Sequence, residues 1–418
     1  MQGDRRIRPH FKSGGSAVLN VCTLENARNL IEIFCRAREN ESERVPLERA
    51  LKRVLRQDIV CLEDVPCFTR SSVDGYAVAA EDTFGASASM PALLRLAGEV
   101  RMGQSPAFTL QSGECAAVPT GGQLPEGADA MVMLEEAEAF AGGVIAVEAS
   151  VAPGKHLIFA GDDAKKGQIV LNRGTVLTTR GIGALAALGY AGVEVAKRPR
   201  VCVLSTGDEL VDPARTPVGA EVRDVNGVML TAAATQAGAE AAFCGRVPDD
   251  ADMLNQKVSA CCGECDILLI SGGSSVGVKD AAANCVSSLG ELLFHGLAVK
   301  PGKPAFAGTI GKTLVLGLPG HPTAAYFVFE LLARPAIYAL LGQTAREFTV
   351  LAKLNAAVPS NTGREEYVAV RLEEGTAEPL MSKSGLISVL SRADGYIRIP
   401  RDAEGLAKGA SVEVHLFC

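Results

Sequence analysis

The chain has 418 residues, 48% of them hydrophobic and 21% charged, which suits roughly three domains of about 150 residues with an ample core. Its net charge of -7 at pH 7 lacks the basic footprint of nonspecific nucleic-acid binding, so an anionic substrate would need local lysines, helix ends or a metal. No apolar run approaches a membrane span, and Arg5, Arg6, Arg8 and Lys12 precede no hydrophobic segment of the signal-peptide kind, so a cytoplasmic protein without membrane attachment is expected.

Residues 1–21 read as a basic extension with the composition of a disordered arm. Leu24–Ala37 has the pattern of an amphipathic helix, and Pro46–Arg56 that of a second. Asp74-Gly75 is a tight-turn signal between strand-like residues. Regularly spaced glycine turns with short apolar strands then mark a β-rich domain over 70–158, in which Val118-Pro-Thr-Gly-Gly122 sets Thr120 on a loop. Gly161-Asp-Asp163 places two acids in a glycine turn. Residues 174–192 read as a strand and a returning helix, and Lys197-Arg-Pro-Arg200 as a linker. The expected domains are thus 22–69 with 159–197, 70–158, 198–345 and 346–418.

From 198 to 345 an alternating β/α pattern predicts a parallel sheet covered by helices. Val201–Leu204, Ala241–Val247, Ile267–Ile270 and Thr313–Leu318 read as buried strands. Asn226 is a fair N-cap with Gly238 as a helix stop, and Asp249-Asp250 opens the next helix. The stretch Asp266–Asp280, DILLISGGSSVGVKD, combines a strand, the Gly/Ser loop Ser271–Ser275 and a helix opened by Asp280. Strand, glycine loop and helix N-terminus form an anion-binding geometry, although a plain strand-to-helix turn has the same pattern. The helix following Pro319-Gly-His-Pro322 contains Pro335, which should kink it. Residues 346–418 are again strand and turn. The predicted fold is multidomain: a central three-layer α/β domain, a β-rich N-terminal domain and a small C-terminal β domain.

Ligands of open α/β sheets bind beyond the C-terminal strand ends. Asp208 and Glu209, Asp249 and Asp250, and the Gly/Ser loop with Asp280 all fall there. Each acid alone reads as a cap or a solvated group; together, beside a phosphate-type loop, they suit Mg²⁺. Lys300 and Lys303, framed by prolines, bring positive charge to the same edge, where it could stabilise a pyrophosphate or an oxyanion. The 12 cysteines are scattered, and read as reduced. Cys262-Gly-Glu-Cys265 has metal-ligand spacing but no second pair at finger spacing.

SSVDGYAV, PTGGQLPEGADAMVM, GDDAKKG, VLSTGDEL, the GGSSVGVKD loop, KPGKPAFAG and GLPGHP occur in an order and spacing that resemble the molybdenum insertases, to which the C-terminal part of gephyrin is similar. The resemblance covers about residues 22–400. It implies an enzyme of molybdenum cofactor biosynthesis that takes adenylylated molybdopterin and molybdate, hydrolyses the adenylate with Mg²⁺, releases AMP and leaves molybdenum on the dithiolene. It also implies a homodimer with an inter-subunit active site, receiving substrate from a molybdopterin adenylyltransferase and serving molybdoenzymes. Carried over by motif, Glu209, Asp249 and Asp280 would line the nucleotide and metal site, and Lys300 would neutralise anionic substrate. Asp74, Thr120 and Asp163 would reach across from the partner subunit. Ser205, Thr206, Gly207, Gly272, Gly273, Ser274, Ser275, Lys303, Pro319, Gly320, His321, Arg364 and Ser384 would contact the substrates.

Three departures stand out. Gly296, beside His295, occupies a position that is basic in many relatives; PGHP replaces the commoner PGNP, so His321 touches ligand or only caps a helix; SKSG replaces Gly-Ser-Gly around Ser384. Three competing readings remain. A molybdopterin adenylyltransferase shares the α/β module but is a single domain, and the competence/damage-inducible family shares the STG-x-EL loop but lacks KPGKP and GLPGHP. A non-catalytic cofactor-binding scaffold is opposed only by the intact carboxylates.

Overall fold

The computed structural model describes residues 21–38, 41–272, 276–343, 348–380 and 387–417, with the backbone alone over 276–280. The chain forms two compact units, one from Glu43 to Val195 and the other from Ala196 onward together with the segment before Glu43.

The Glu43–Val195 unit is built on a six-stranded sheet, in the order Ala130–Met133, Gly75–Val78, Glu114–Val118, Ala92–Glu99, Val144–Val147, Ala137–Phe140. Successive residues on a strand face opposite sides, so Val78, Cys115 and Val132 enter one core cluster while Ala77, Ala116 and Met131 enter another. A third cluster gathers Leu55, Ile59, Leu177, Leu185 and Val195 around the helix Thr179–Ala187. The helix expected over Pro46–Arg56 is absent. Only the single 3₁₀ turn Leu47–Arg49 forms there, because Val54 and Leu55 bridge to Val176 and Val195 as extended chain. Non-local pairing overrides the local helical period.

In the other unit, α1 (Leu24–Arg36) is capped by the Thr23 side chain and buries Leu24, Ala27, Ile31 and Cys35 at helical spacing. The sheet that follows contains β1 (Arg200–Thr206), β2 (Glu240–Val247), β3 (Ile267–Gly272), β4 (Glu291–His295), β5 (Phe306–Ile310) and β6 (Thr313–Leu318). Its order is β2-β1-β3-β6-β5-β4, parallel from β2 to β6 and antiparallel beyond. The helices α2 (Val225–Gln236), α3 (Ala251–Cys262), α4 (Val276–Leu289) and α5 (Pro322–Leu341) complete the alternation. Ile267–Ile270 and Leu314–Leu316 are almost wholly buried, as continuous apolar runs in a covered parallel sheet should be.

Three local expectations need correcting, and the irregularity expected at Pro335 takes a specific form. Asp224, not Asn226, caps α2, accepting from the Gly227 amide at 2.9 Å. Asp280 lies inside α4, which begins at Val276. Pro335 is accommodated by a π turn over Phe329–Ala333, which absorbs its missing N–H. Finally, α5 is, at 20 residues, long and apolar enough to span a membrane, but 72% of that stretch is buried inside the fold. It is a core helix.

The C-terminal strands close on themselves: Glu365–Glu373 pairs with Thr376–Pro379 and with Gly395–Ile399, and Thr349–Leu354 and Ser411–Leu416 complete the ring. Val370, Ile397, Ile399 and Val414 fill its interior. A two-residue strand, Val299–Lys300, pairs parallel with Glu365-Glu366 and ties this barrel to the α/β sheet. The multidomain α/β plus β architecture expected from the sequence is present.

Leu268 sits fully buried on central strand β3, where neighbours on both faces prevent collapse. Leu268→Ala should therefore lose ~2–5 kcal/mol, read as a lower urea midpoint at unchanged slope.

Candidate functional site

The parallel strands β1, β3 and β6 end on one rim, at Thr206, Gly272 and Leu318. The Asn226 amide nitrogen, buried in the first turn of α2, donates to Ser271 Oγ at 2.8 Å and to the Gly320 carbonyl at 2.8 Å. Ser271 in turn reaches the Pro319 carbonyl at 3.4 Å. One side chain therefore holds two strand-end loops in register. Thr206 and Gly272 are neighbours across β1 and β3, and a Cβ at 272 would collide with the Thr206 hydroxyl and carbonyl. Close approach of backbone to backbone is why glycine stands there.

A cleft of about 440 Å³ opens beside this knot, lined by Ser205, Thr206, Glu209, Arg223, Asp224, Asn226, Ser271, Gly272, Gly320 and His321. Ser205 Oγ is buried without a hydrogen-bond partner among the described residues, so its bonding capacity is free for a ligand in the cleft. At one side stand three carboxylates. Asp208 accepts from the Asp249 amide at 3.0 Å, and the Glu209 carboxylate folds back over Gly207, where a Cβ would lie 2.6 Å from Oε2. Partial burial, with Asp208 and Glu209 adding like charge, pushes the Asp249 carboxyl above its ordinary value. Oxygen donors whose mutual repulsion a cation would relieve are a fit for Mg²⁺. Asp250 is structural, since it caps α3 through the Met253 amide at 2.8 Å.

A second cleft, of about 460 Å³, lies between the Lys300–Pro304 loop and the barrel, with Pro319, His321, Arg364 and Glu366 on its walls. Lys300, Lys303 and Arg364 make it a basic counterpart to the acidic one. Lys300 is held by the buried Glu366 at 2.9 Å, whose other oxygen accepts from Ser360 at 2.6 Å. Sequence reasoning missed Glu366. The available signal was an acid inside a strand pattern, Glu365-Glu366-Tyr367-Val368, with no exposed role. His321 lines both clefts, and although it occupies the N-cap position of α5 its side chain makes no capping bond. It faces the two clefts rather than capping the helix. His295 instead packs edge-on against Phe306, 6.0 Å between centroids.

Glu209 and Asp249 are thus brought together, as are Lys300, Lys303, Pro319, His321 and Arg364. Gly273, Ser274, Ser275 and Ser384 lie outside the described residues, as does the side chain of Asp280. Asp74, Thr120 and Asp163 belong to the other unit. There Asp74 Oδ1 accepts from the Thr120 amide at 2.8 Å, which joins two of the three; Asp163 is exposed in its turn.

The raised Asp249 carboxyl carries a sign that can be checked. The native state holds this proton more tightly than the unfolded chain, so the group's stabilising contribution is present at low pH and is lost as pH rises from its ordinary 3.8 through its folded value. Without divalent cations, Asp249→Asn should gain Tm relative to wild type as pH rises above 3.8, steepening the acid limb, and Mg²⁺ should raise the wild-type Tm more than the variant's.

Family models match almost the whole chain: the MoeA N-terminal region (domain I and II) over residues 22–189, a probable molybdopterin binding domain over 202–339, and the MoeA C-terminal region (domain IV) over 351–417. The molybdopterin molybdenumtransferase of Bacillus subtilis is 32% identical over 390 residues, covering 91% of each chain. Molybdopterin molybdenumtransferase 2 of Mycobacterium tuberculosis is 32% identical over 383 residues, 88% of this chain and 94% of that one. The crystal structure of the molybdopterin biosynthesis moeA protein from Pyrococcus horikoshii OT3 superposes with a TM-score of 0.84 at 33% identity, over 95% of this chain and all of the other. The chain belongs to the MoeA family of molybdopterin molybdenumtransferases.

Proposed function

We propose that this molybdenumtransferase takes adenylylated molybdopterin and molybdate, hydrolyses the pyrophosphate link with Mg²⁺ and releases AMP and molybdenum cofactor. The observation that supports this reading is the pair of clefts meeting at His321, one acidic-rimmed and one basic. A substrate with a nucleotide at one end and a metal-accepting dithiolene at the other needs two adjoining chambers. Molybdate, an oxyanion, goes to the basic one, where Lys300, Lys303 and Arg364 supply charge. The adenylate goes to the other, with Ser205 and Arg223 as donors.

Glu209 and Asp249, with Asp280, would hold Mg²⁺, which when bound neutralises the pyrophosphate oxygens. Glu366 keeps the Lys300 ammonium aimed at its cleft, so that two anions can be held side by side. Removal of such a charge typically slows turnover about 10²- to 10³-fold, the scale expected for Lys300→Ala.

The reading also makes the enzyme a homodimer in which Asp74, Thr120 and Asp163 complete the partner's site. Asp74→Asn and Asp280→Asn should each abolish insertion alone. Mixed and refolded one to one, they should regain about a quarter of wild-type activity, because half the dimers are mixed and each has one intact site. No recovery in proven heterodimers would remove the shared site.

AMP release from adenylylated molybdopterin, with Mg²⁺ and with or without molybdate, tests the reaction itself. Molybdate-dependent release is expected. Consumption of ATP and molybdopterin would install the adenylyltransferase reading, and tight binding with no turnover the scaffold.

A further inference from the structure

The CxxC spacing Cys262-Gly-Glu-Cys265 is not the arrangement that the fold assembles. Cys202 on β1, Cys244 on β2 and Cys261 at the end of α3 bring their sulfurs within 4.8 Å of one another. Cys202 also lies in thiol hydrogen-bond contact with Cys265, in the turn between α3 and β3. Four thiols from four elements therefore converge on the α3 face of the sheet.

Each arrives by a separate structural device. Register slips between Val203 and Leu204, so that Cys244 has no register partner on β1 and sits in a bulge, followed by Gly245 at a φ of 115°. Bulges on edge strands re-aim side chains, and β2 is the edge of this sheet. Cys261 and Cys265 are four apart, within the spacing of paired thiolate ligands. Their turn is fixed because Thr313 Oγ1, buried on β6, donates to the Cys262 and Cys265 carbonyls, both at 2.7 Å. Burial pushes the Cys244 thiol up, and contact with Cys202 together with burial pushes the Cys261 thiol up, so in the metal-free protein both stay protonated; the Lys257 ammonium, one helical turn before Cys261, offsets only part of this. Cys261 and Cys265 are buried while Cys202 and Cys244 are only partly so, which leaves a way in from the sheet edge.

We propose that Cys202, Cys244, Cys261 and Cys265 form a tetrathiolate site for a thiophilic d¹⁰ cation of the Zn²⁺ type, distinct from the Mg²⁺ site of the clefts. Tetrahedral zinc with Zn–S of about 2.3 Å separates its sulfurs by about 3.8 Å, so the Cys202, Cys244 and Cys261 thiols need close by only about 1 Å, and Cys265, already against Cys202, has to turn in as the fourth ligand. Binding exchanges four S–H bonds for four metal–sulfur bonds and expels the protons to solvent; no electron moves. The site would be structural, with its ligands all from protein and no open position, and it would clamp edge strand β2 to β1 and α3.

The test uses the full chain, purified under reducing conditions. Zn²⁺ titrated into metal-free protein should saturate at one equivalent with release of about four protons. Co²⁺ in its place should give the thiolate charge-transfer and tetrahedral d–d bands. Cys202→Ser and Cys261→Ser should each lower affinity about 100-fold or more, while Cys35→Ser and Cys115→Ser, outside the cluster, should leave it unchanged. Because a ligand variant could fail to fold, the wild-type Co²⁺ spectrum decides independently. A Co²⁺ complex without thiolate charge transfer, saturation far below one equivalent, or loss of two hydrogens in the intact mass from a Cys202–Cys244 or Cys261–Cys265 disulfide would overturn the proposal.

Discussion

The geometry of the site hangs on a buried amide. Asn226 spends both donors on Ser271 and Gly320, which belong to two different strand-end loops. Taking that amide from water would cost up to about 3 kcal/mol if its bonds were unmade, so the three segments are committed to one arrangement. From it follow the touching of Thr206 and Gly272, the orientation of the Pro319–His321 turn, and the division of the rim into two clefts that share His321.

Charge is distributed over this frame by distance along the chain rather than by local sequence. The acids come from the loops after β1 and β2, two parallel neighbours, so their crowding is a direct result of strand order. The lysines come from a loop fixed by pairing with the barrel, and Lys300 keeps its place because Glu366 is itself held by Ser360. A protein of net charge -7 thus concentrates positive charge where an oxyanion would bind and leaves the opposing cleft for a cation.

Much of this was legible before any coordinates. Ile267–Ile270 and Thr313–Leu318 read as buried parallel strands because a sheet covered on both faces needs unbroken apolar runs, and strand ends in such a sheet define the rim. Glu209, Asp249, Lys300 and Lys303 could be placed on that rim for the same reason. Glu366 could not, since its partner is 66 positions away by subtraction and meets it only through a two-residue strand. Asn226 looked like a cap because it lies two residues from Asp224, the true one. The run Pro46–Arg56 looked helical because period alone does not see Val176 and Val195. The thiol cluster was hidden for a related reason: local spacing singled out Cys262, whereas topology selects Cys261.

The most direct test of the two-cleft account is equilibrium binding of molybdate and of AMP, measured separately on Lys303→Ala/Arg364→Ala and on Glu209→Gln proteins. If the clefts divide the substrates as argued, the first variant loses molybdate and keeps AMP, while the second keeps molybdate and loses the Mg²⁺-dependent part of AMP binding. Molybdate bound undiminished by the Lys303→Ala/Arg364→Ala protein, or both ligands lost together from either variant, would contradict the account.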